Sequence, residues 1–572
     1  MPGFCGFVLS EEKKIPDSFD ISFPALTPRA EKTVAFGNFW TKQSIIDKFA
    51  EEKLFQENSS HFISTDGVIL NSQSQKNKYA ASDLFSLLKK MYQEHPDTFP
   101  SELRGDFDGL VFDKKEKRWT LFTNHMGSKW VFYFFDQPSN TFIFGTELKW
   151  VTELMRKLGF PPRLDVEGAY CLLTFGYMLG QKTLVESVQK IPPGSILDYQ
   201  NGALSCKQYY QINNEPPVDL PKQKIIQELD ARFRIAVSAE YEKDLEFGYQ
   251  HIATLSGGLD SRMNVCFAKK LGYEKILNIT FSQSNYLDEK IAKKIASEWN
   301  MDFLFFSLDN GNFLKPIEEI VLTNDGLALY SGAAHAYGML SCLFWEKFGI
   351  LHTGQIGDAV LGSFLSKRKK KQSSLPGAYS TLLNDKIRRQ FAEELQGNPN
   401  EEVFKFINRA FNGAFNGYRS IEQFTEFSSP FLYPDFFDFA VKIPSKFRMS
   451  EQIYKDWILE KVPEAAKYAW EKTGVKVGSG KLPIFIKKAQ RYARRLLLGK
   501  NGIYSMNPFN FWFESNPSLN SSFSSFFSEN IDLLASHPEL REDTKELFEK
   551  GNPLEKTQPL SLLAAYRLLR LN

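Results

Sequence analysis

The chain has 572 residues, with 70 Lys plus Arg against 68 Asp plus Glu, a formal charge of +2 at pH 7, and 42% hydrophobic residues. That composition supports large buried cores and excludes a disordered, collagen-like or disulfide-stapled chain, while the near-neutral balance supplies no field that selects a nucleic acid or a membrane as partner. The five cysteines (Cys5, Cys171, Cys206, Cys266 and Cys342) are widely spaced without a C-x-x-C pair, and read as free thiols of a reducing, cytoplasmic compartment. The start, MPGFCGFVLSEEKK, lacks the regions of a secretory signal, and the longest apolar-leaning stretch, Ala169 to Leu179, falls short of the about 18 residues of a membrane span.

In chain order, residues 1–211 show short aromatic and β-branched runs separated by turn residues: Gly6 to Leu9, Gly67 to Leu70, Gly109 to Phe112, Trp119 to Phe122, Trp130 to Phe135 and Thr141 to Phe144. These predict strands. Helical periodicity over Ile45 to Phe55 and Ser82 to Gln93 makes the unit a layered α+β domain. The proline-rich segment 212–223 predicts a linker. Across 224–572, helix patterns alternate with buried-strand candidates at His251 to Leu255, Ile276 to Thr280, Phe303 to Ser307 and Gly349 to Thr353, the pattern of an open, mainly parallel α/β sheet. The basic run Lys367 to Lys371 reads as a solvated loop and Lys487 to Lys500 as an amphipathic basic surface helix.

The strongest chemical signal is HIATL-SGGLDS-RMNVCFAKKLG. An apolar run, a glycine-rich turn (Ser256, Gly257, Gly258, Leu259, Asp260, Ser261) and a helix start gather backbone N–H groups and the helix dipole at one spot suited to a phosphate chain. Adjacent glycines admit phosphate oxygens closely, Ser256 and Ser261 add hydroxyls, and Asp260 can hold Mg²⁺. No GxxxxGK[ST] motif is present, so this is not the common nucleotide-triphosphatase loop.

SGGLDS resembles the pyrophosphate-binding loop of the ATP pyrophosphatase superfamily, and its surroundings resemble the asparagine synthetase and β-lactam synthetase branch. The likeness continues through Asp288, Glu289 and Ala292 (D-E-x-x-A), through GILHTGQIGDAVLGSF (similar to S-G-E-G-A-D-E-x-x-G-G), EFSSPFLYPDFFDFAVKIP (similar to E-x-R-x-P-F-L-D), and KTGVKVGSG, which looks like the family's catalytic lysine loop. The resemblance implies a doubly wound synthetase domain in which Asp260 and Asp358 pair on Mg²⁺. Gly354 would face ATP, Leu255 and Thr280 would meet the nucleotide through main-chain groups, and Lys472 would stabilise charge on the adenylate. Gln355 stands where relatives carry Glu or Tyr and cannot act as a base; Glu426 matches the position of a glutamate that partners that tyrosine, and is either the candidate to orient or deprotonate the amine or a surface or salt-bridged carboxylate. Arg262 stands where a small residue is usual and would reach phosphate or cap a helix.

Upstream, LRGDFDGLVFD, GSKWVFYF, FIFGTELKWV and the Asp165 to Leu197 connector are similar to a class II glutamine amidotransferase domain, implying a four-layer, Ntn-type fold. The family's nucleophilic cysteine position holds Pro2, which has no nucleophile, and Cys5 falls at an apolar core position. Arg104 occupies the glutamine-binding acidic position, Thr123-Asn124 replaces an Arg-Asp pair, and Asn71 lacks its partners. The domain is therefore expected to have lost glutamine hydrolysis.

The implied activity is an ATP- and Mg²⁺-dependent ligase, releasing AMP and pyrophosphate, that joins a small-molecule or peptide carboxylate to ammonia or to the substrate's own amine. That activity is either asparagine synthetase-like or intramolecular, as in β-lactam synthetases and lasso peptide cyclases. A non-catalytic ATP-binding partner protein is the alternative, and a homodimer is left open.

Overall fold

The computed structural model describes residues 2–16, 19–22, 26–365, 377–390, 400–499 and 502–572. The basic run Lys367 to Lys371 lies outside the described residues. In the first half, β1 (Gly3–Val8), β2 (Ala30–Phe36), β3 (Phe39–Ile45), β8 (Phe132–Asp136), β9 (Thr141–Gly145) and β10 (Val188–Lys190) form one sheet in the order β10-β8-β9-β1-β3-β2. A second sheet, in the order β12-β11-β7-β6-β5-β4, contains β4 (Phe55–Glu57), β5 (His61–Ile69), β6 (Gly105–Asp113), β7 (Arg118–Thr123), β11 (Ser195–Gln200) and β12 (Ala203–Gln208).

Side-chain alternation explains the layers. Along β1, Phe4 and Val8 enter an inter-sheet core with Phe39, Phe62, Phe112 and Trp119. Cys5 and Phe7 point the opposite way, into the core under α3 (Leu148–Lys157) and α4 (Val166–Phe175). A strand covered on both faces reads apolar throughout rather than alternating. The second sheet's outer face is covered by α2 (Leu84–Glu94), which follows α1 (Ser72–Lys78); Asp83 and Ser86 close a reciprocal capping box at the start of α2. The result is a four-layer helix–sheet–sheet–helix domain.

The expected helix over Ile45 to Phe55 is corrected to a loop with one tight turn, Ala50–Glu52. Its periodicity comes from anchoring rather than from a helical face. Lys48 donates to the Phe348 carbonyl, Glu52 pairs with Lys243, Lys53 pairs with Glu426, and Phe49 holds a left-handed φ of 51°.

The second half is built on β13 (Gln250–Thr254), β14 (Leu277–Ser282), β15 (Phe303–Ser307), β16 (Phe348–His352) and β17 (Phe427–Ser428), all parallel, in the order β15-β14-β13-β16-β17. On one face Ala253 and Leu255 pack with α5 (Lys222–Glu246), α6 (Asp260–Lys270) and α7 (Leu287–Glu298). On the other, Ile252, Ile279 and Leu351 pack with α9 (Tyr330–Leu340), which follows α8 (Ile317–Asn324). Helices on both faces make the sheet doubly wound. The chain runs outward through β14 and β15, then returns to β16 on the other side of β13, so the switch point falls between β13 and β16, where such sheets bind ligands. Asp244 of α5 clips these two strands together, bonded to His251 of β13 (2.9 Å) and His352 of β16 (2.8 Å).

The segment 212–221 lies against the second half: Val218 N–H donates to the Lys442 carbonyl and the Asn214 amide donates to Glu402. The last helix, Thr557–Leu569, packs against α3, α4, α8 and α9, and Gln558 donates to the carbonyls of Leu172 and Leu173, so it joins both halves. Among the described residues no helix is long and apolar enough to cross a membrane.

Candidate active site

A cavity of about 770 Å³ opens at the C-terminal ends of β13 and β16. Of the residues singled out from sequence, Leu255, Ser256, Gly258, Asp260, Ser261, Thr280, Gly354, Gln355 and Asp358 line it. Gly257 lies just beneath the surface; its N–H donates to Asp288 (2.9 Å) and its carbonyl accepts from Glu471 N–H (3.0 Å). Other donors of the turn are also engaged locally, Ser256 N–H to the Ser261 hydroxyl and Gly258 N–H to the Ser256 hydroxyl. The helix α6 opens without a side-chain cap, so its first-turn N–H groups are the donors left for a phosphate.

The chain brings Asp260 and Asp358 together across the two strand ends, where Asp260 accepts from Asp358 N–H (3.0 Å) and from the Tyr454 hydroxyl (2.9 Å). Burial and the charge of Asp358 push the Asp260 carboxyl well above the usual carboxylate range. Two hard oxygen donors that repel one another fit a divalent cation such as Mg²⁺. Close approach of the loops depends on Gly354: a Cβ there would lie 2.2 Å from the backbone of Asp260 and Ser261. Between the two site residues Gln355 and Asp358, Ile356 holds a left-handed φ of 67°, a conformation costing a branched residue about 1–3 kcal/mol and typical of functional turns.

Gln355, singled out from sequence, is buried in the wall with neither amide atom hydrogen-bonded. Sequence reading missed several other wall residues. His335 of α9 faces the Phe281 ring (centroids 4.8 Å apart), and burial lowers its pKa to about 4, so it is neutral at physiological pH. The π-helical segment Phe406–Ala414 contributes Arg409, the cation among the lining residues. Met506, Asn507 and Phe509 close one side, pinned by Gln283 N–H to the Met506 carbonyl and by Trp512 Nε1–H to Gln283. Nothing in the local sequence marks these residues; only tertiary folding assembles them.

Lys472 stands apart from the wall, on the hairpin between β18 (Ala469–Trp470) and β19 (Val475–Lys476), with both Glu451 oxygens at 2.8 and 2.9 Å. Arg262 does not reach the phosphate position; of its two expected roles it takes the cap, donating to the Ala465 carbonyl (2.9 Å) at the C-terminal end of the Pro463–Ala466 helix. It is fully buried and donates to the carbonyls of Gly257, Ala465, Tyr468 and Ala469, tying the lysine hairpin to the glycine turn.

Of its two readings, Glu426 takes the salt-bridged one. It lies outside the cavity lining, buried against Lys53 (2.8 Å) and Lys129 (2.8 Å), the latter also pairing with Asp66 and Glu422 (both 3.1 Å). Burial alone would raise its carboxyl, but the two ammoniums outweigh it and hold the pKa at about 2. A carboxylate so committed is a poor proton acceptor and instead joins the two halves.

In the first half, Pro2 is buried and Cys5 is a buried thiol whose pKa burial raises. Arg104 is drawn across to Asp435, with Nε at 2.9 Å and Nη2 at 3.2 Å, while Asn71 is spent on the Arg104 N–H and the Glu102 carbonyl. The cavity beside Gly105, Asp106 and Asn124 holds about 10 Å³, room for a water at most.

Two family models match in tandem, the glutamine amidotransferase domain over residues 29–210 and asparagine synthase over residues 228–411. Together these matches support an asparagine synthetase-family protein. A curated relative, asparagine synthetase [glutamine-hydrolyzing] 1 of Bacillus subtilis (strain 168), is 23% identical over 302 residues, covering 51% of this chain and 46% of that protein. The match thus spans less than half of the relative's length. Among solved structures, glutamine phosphoribosylpyrophosphate amidotransferase from B. subtilis, complexed with ADP and GMP, aligns at 8% identity and TM-score 0.23, covering 53% of this chain and 59% of that one. NMN synthetase from Francisella tularensis aligns at 17% identity and TM-score 0.19, covering 32% and 78%.

Proposed function

We propose that the protein is an ATP-dependent ligase that activates a carboxylate as its adenylate, releases pyrophosphate and passes the acyl group to an amine not drawn from glutamine. The observation that carries this reading is the Asp260–Asp358 pair facing one cavity with the SGGLDS turn. Asp260 and Asp358 would hold Mg²⁺, which when bound neutralises phosphate charge. The α6 N-terminus would orient the phosphate chain, and the Arg262 cage would keep the Lys472 hairpin in register with it. With Glu426 committed elsewhere and Gln355 unable to take a proton, neutral His335 is the wall residue suited to accept one from the attacking amine. Arg409 is positioned to meet a substrate anion.

Two observations favour an amine carried by the substrate over glutamine-derived ammonia. The pairing of Arg104 with Asp435 and the small cavity beside Gly105, Asp106 and Asn124 support a first half that does not take glutamine, and the wall of the larger cavity is broad and aromatic, including Tyr177, Phe281, Tyr379 and Tyr418. A bulky or peptide carboxylate closing on its own amine, as in β-lactam or lasso peptide cyclisation, therefore fits better than free aspartate. Pyrophosphate release in Mg²⁺ buffer tests this, comparing aspartate plus ammonium, aspartate plus glutamine, and peptides with an internal Asp or Glu, with Asp260→Ala as control. Release that requires glutamine would overturn the reading; ATP binding without release from any acceptor would make the protein a non-catalytic partner.

A further inference from the structure

The Lys481–Leu498 helix contains six cations (Lys481, Lys487, Lys488, Arg491, Arg494 and Arg495) and no acid. At about 100° per residue, Leu482, Phe485, Ile486, Tyr492, Leu496 and Leu497 fall within one arc of about 140°. A surface helix ordinarily turns such a stripe toward the core. Here the stripe is outward: Leu482, Phe485 and Leu496 are each 69% exposed and Leu497 85%. These six are nearly half of the fourteen large apolar side chains that the described residues leave exposed. The polar side faces the protein instead, Arg491 donating to the carbonyls of Glu471 and Lys472 and Arg495 lying 5.6 Å from the Tyr504 ring centroid.

What covers the stripe follows from its borders. On the helical projection Lys481 and Lys488 flank one edge of the apolar arc, and Arg494 and Lys487 lie beyond the other. A bilayer with anionic headgroups matches both features together, taking the apolar side chains at the acyl boundary while long cationic side chains reach the headgroups. We propose that this helix docks the protein onto an anionic membrane surface, lying on it rather than spanning it. The whole-chain charge of +2 conceals the segment because acids elsewhere balance it.

Sedimentation of the full-length protein with vesicles of phosphatidylcholine, with or without phosphatidylglycerol, tests the assignment. The bound fraction should be at least ~10-fold higher on phosphatidylglycerol vesicles and fall with added salt. Leu496→Asp and Leu482→Asp should abolish binding, and Lys488→Glu should weaken it, each with the wild-type melting temperature because these side chains are solvent-exposed. Wild-type protein that stays in the supernatant with phosphatidylglycerol vesicles, or variants that sediment equally well, would overturn the assignment. So would equal binding to phosphatidylcholine alone, or a lipid-free dimer dispersed by Leu496→Asp, which would show that a second copy covers the stripe.

Discussion

Replacing Glu426 by Gln separates the two roles that this residue could play. Its carboxyl lies 2.8 Å from both Lys53 and Lys129 and is moved from 4.5 to about 2. Each tenfold change in proton affinity is worth about 1.4 kcal/mol, so the ionised carboxylate contributes about 3 kcal/mol at neutral pH. The sign follows from the depressed folded value: the contribution is complete above the unfolded pKa of about 4.3 and disappears as pH falls through the folded value. Glu426→Gln should therefore lower unfolding free energy by about 3 kcal/mol at pH 7 in urea titrations, the gap to wild type narrowing between about pH 4 and pH 2. Folded Glu426→Gln should keep pyrophosphate release within about 3-fold of wild type, since the side chain lies outside the cavity lining and effects of that size need no lost catalytic group. Wild-type stability combined with a loss of rate of ~100-fold or more would refute the reasoning and return Glu426 to the chemistry.

Gly354→Ala places a Cβ 2.2 Å from the backbone of Asp260 and Ser261; the strand ends must separate, and pyrophosphate release should fall ~100-fold or more. Arg262→Met leaves four carbonyls without their donor and should cost about 3 kcal/mol by urea denaturation while raising the KM for ATP. His335→Gln should lower kcat ~100-fold, and the wild-type rate should show an acid limb at about pH 4 that the variant lacks. Pro2→Cys should release no glutamate from glutamine in a coupled assay, because Arg104 stays paired with Asp435.

The fold was legible where local pattern and burial agree. Strand positions from His251 to Thr353 lie within about two residues of β13, β14, β15 and β16 because strands buried on both faces are short apolar runs bounded by turns. The Ile45 to Phe55 segment misled because Lys48, Glu52 and Lys53 space their anchors as a helix spaces its faces. At the site, glycine-rich turns announce themselves within a few residues, which is why SGGLDS and TGQIGD stand out, and they meet because their strands are neighbours. His335, Arg409 and Asn507 carry no such local mark; they share a wall only after α9, the Phe406–Ala414 segment and the C-terminal region have packed. Glu426 shows the converse, a recognisable motif position whose partners, Lys53 and Lys129, lie hundreds of residues upstream.

The charged seam also constrains how such a gene can be cut. Lys53 and Lys129 come from the amidotransferase-like half, and Glu422 and Glu426 from the synthetase half. Made alone, the first half would leave Lys53 without Glu426 and Lys129 with only Asp66, and the second would leave the buried Glu426 without either of its ammonium partners. A deletion or exchange that spared every residue around the cavity at the ends of β13 and β16 would still inherit that defect. The first half thus supplies the second with counter-charge, whatever becomes of its own reaction.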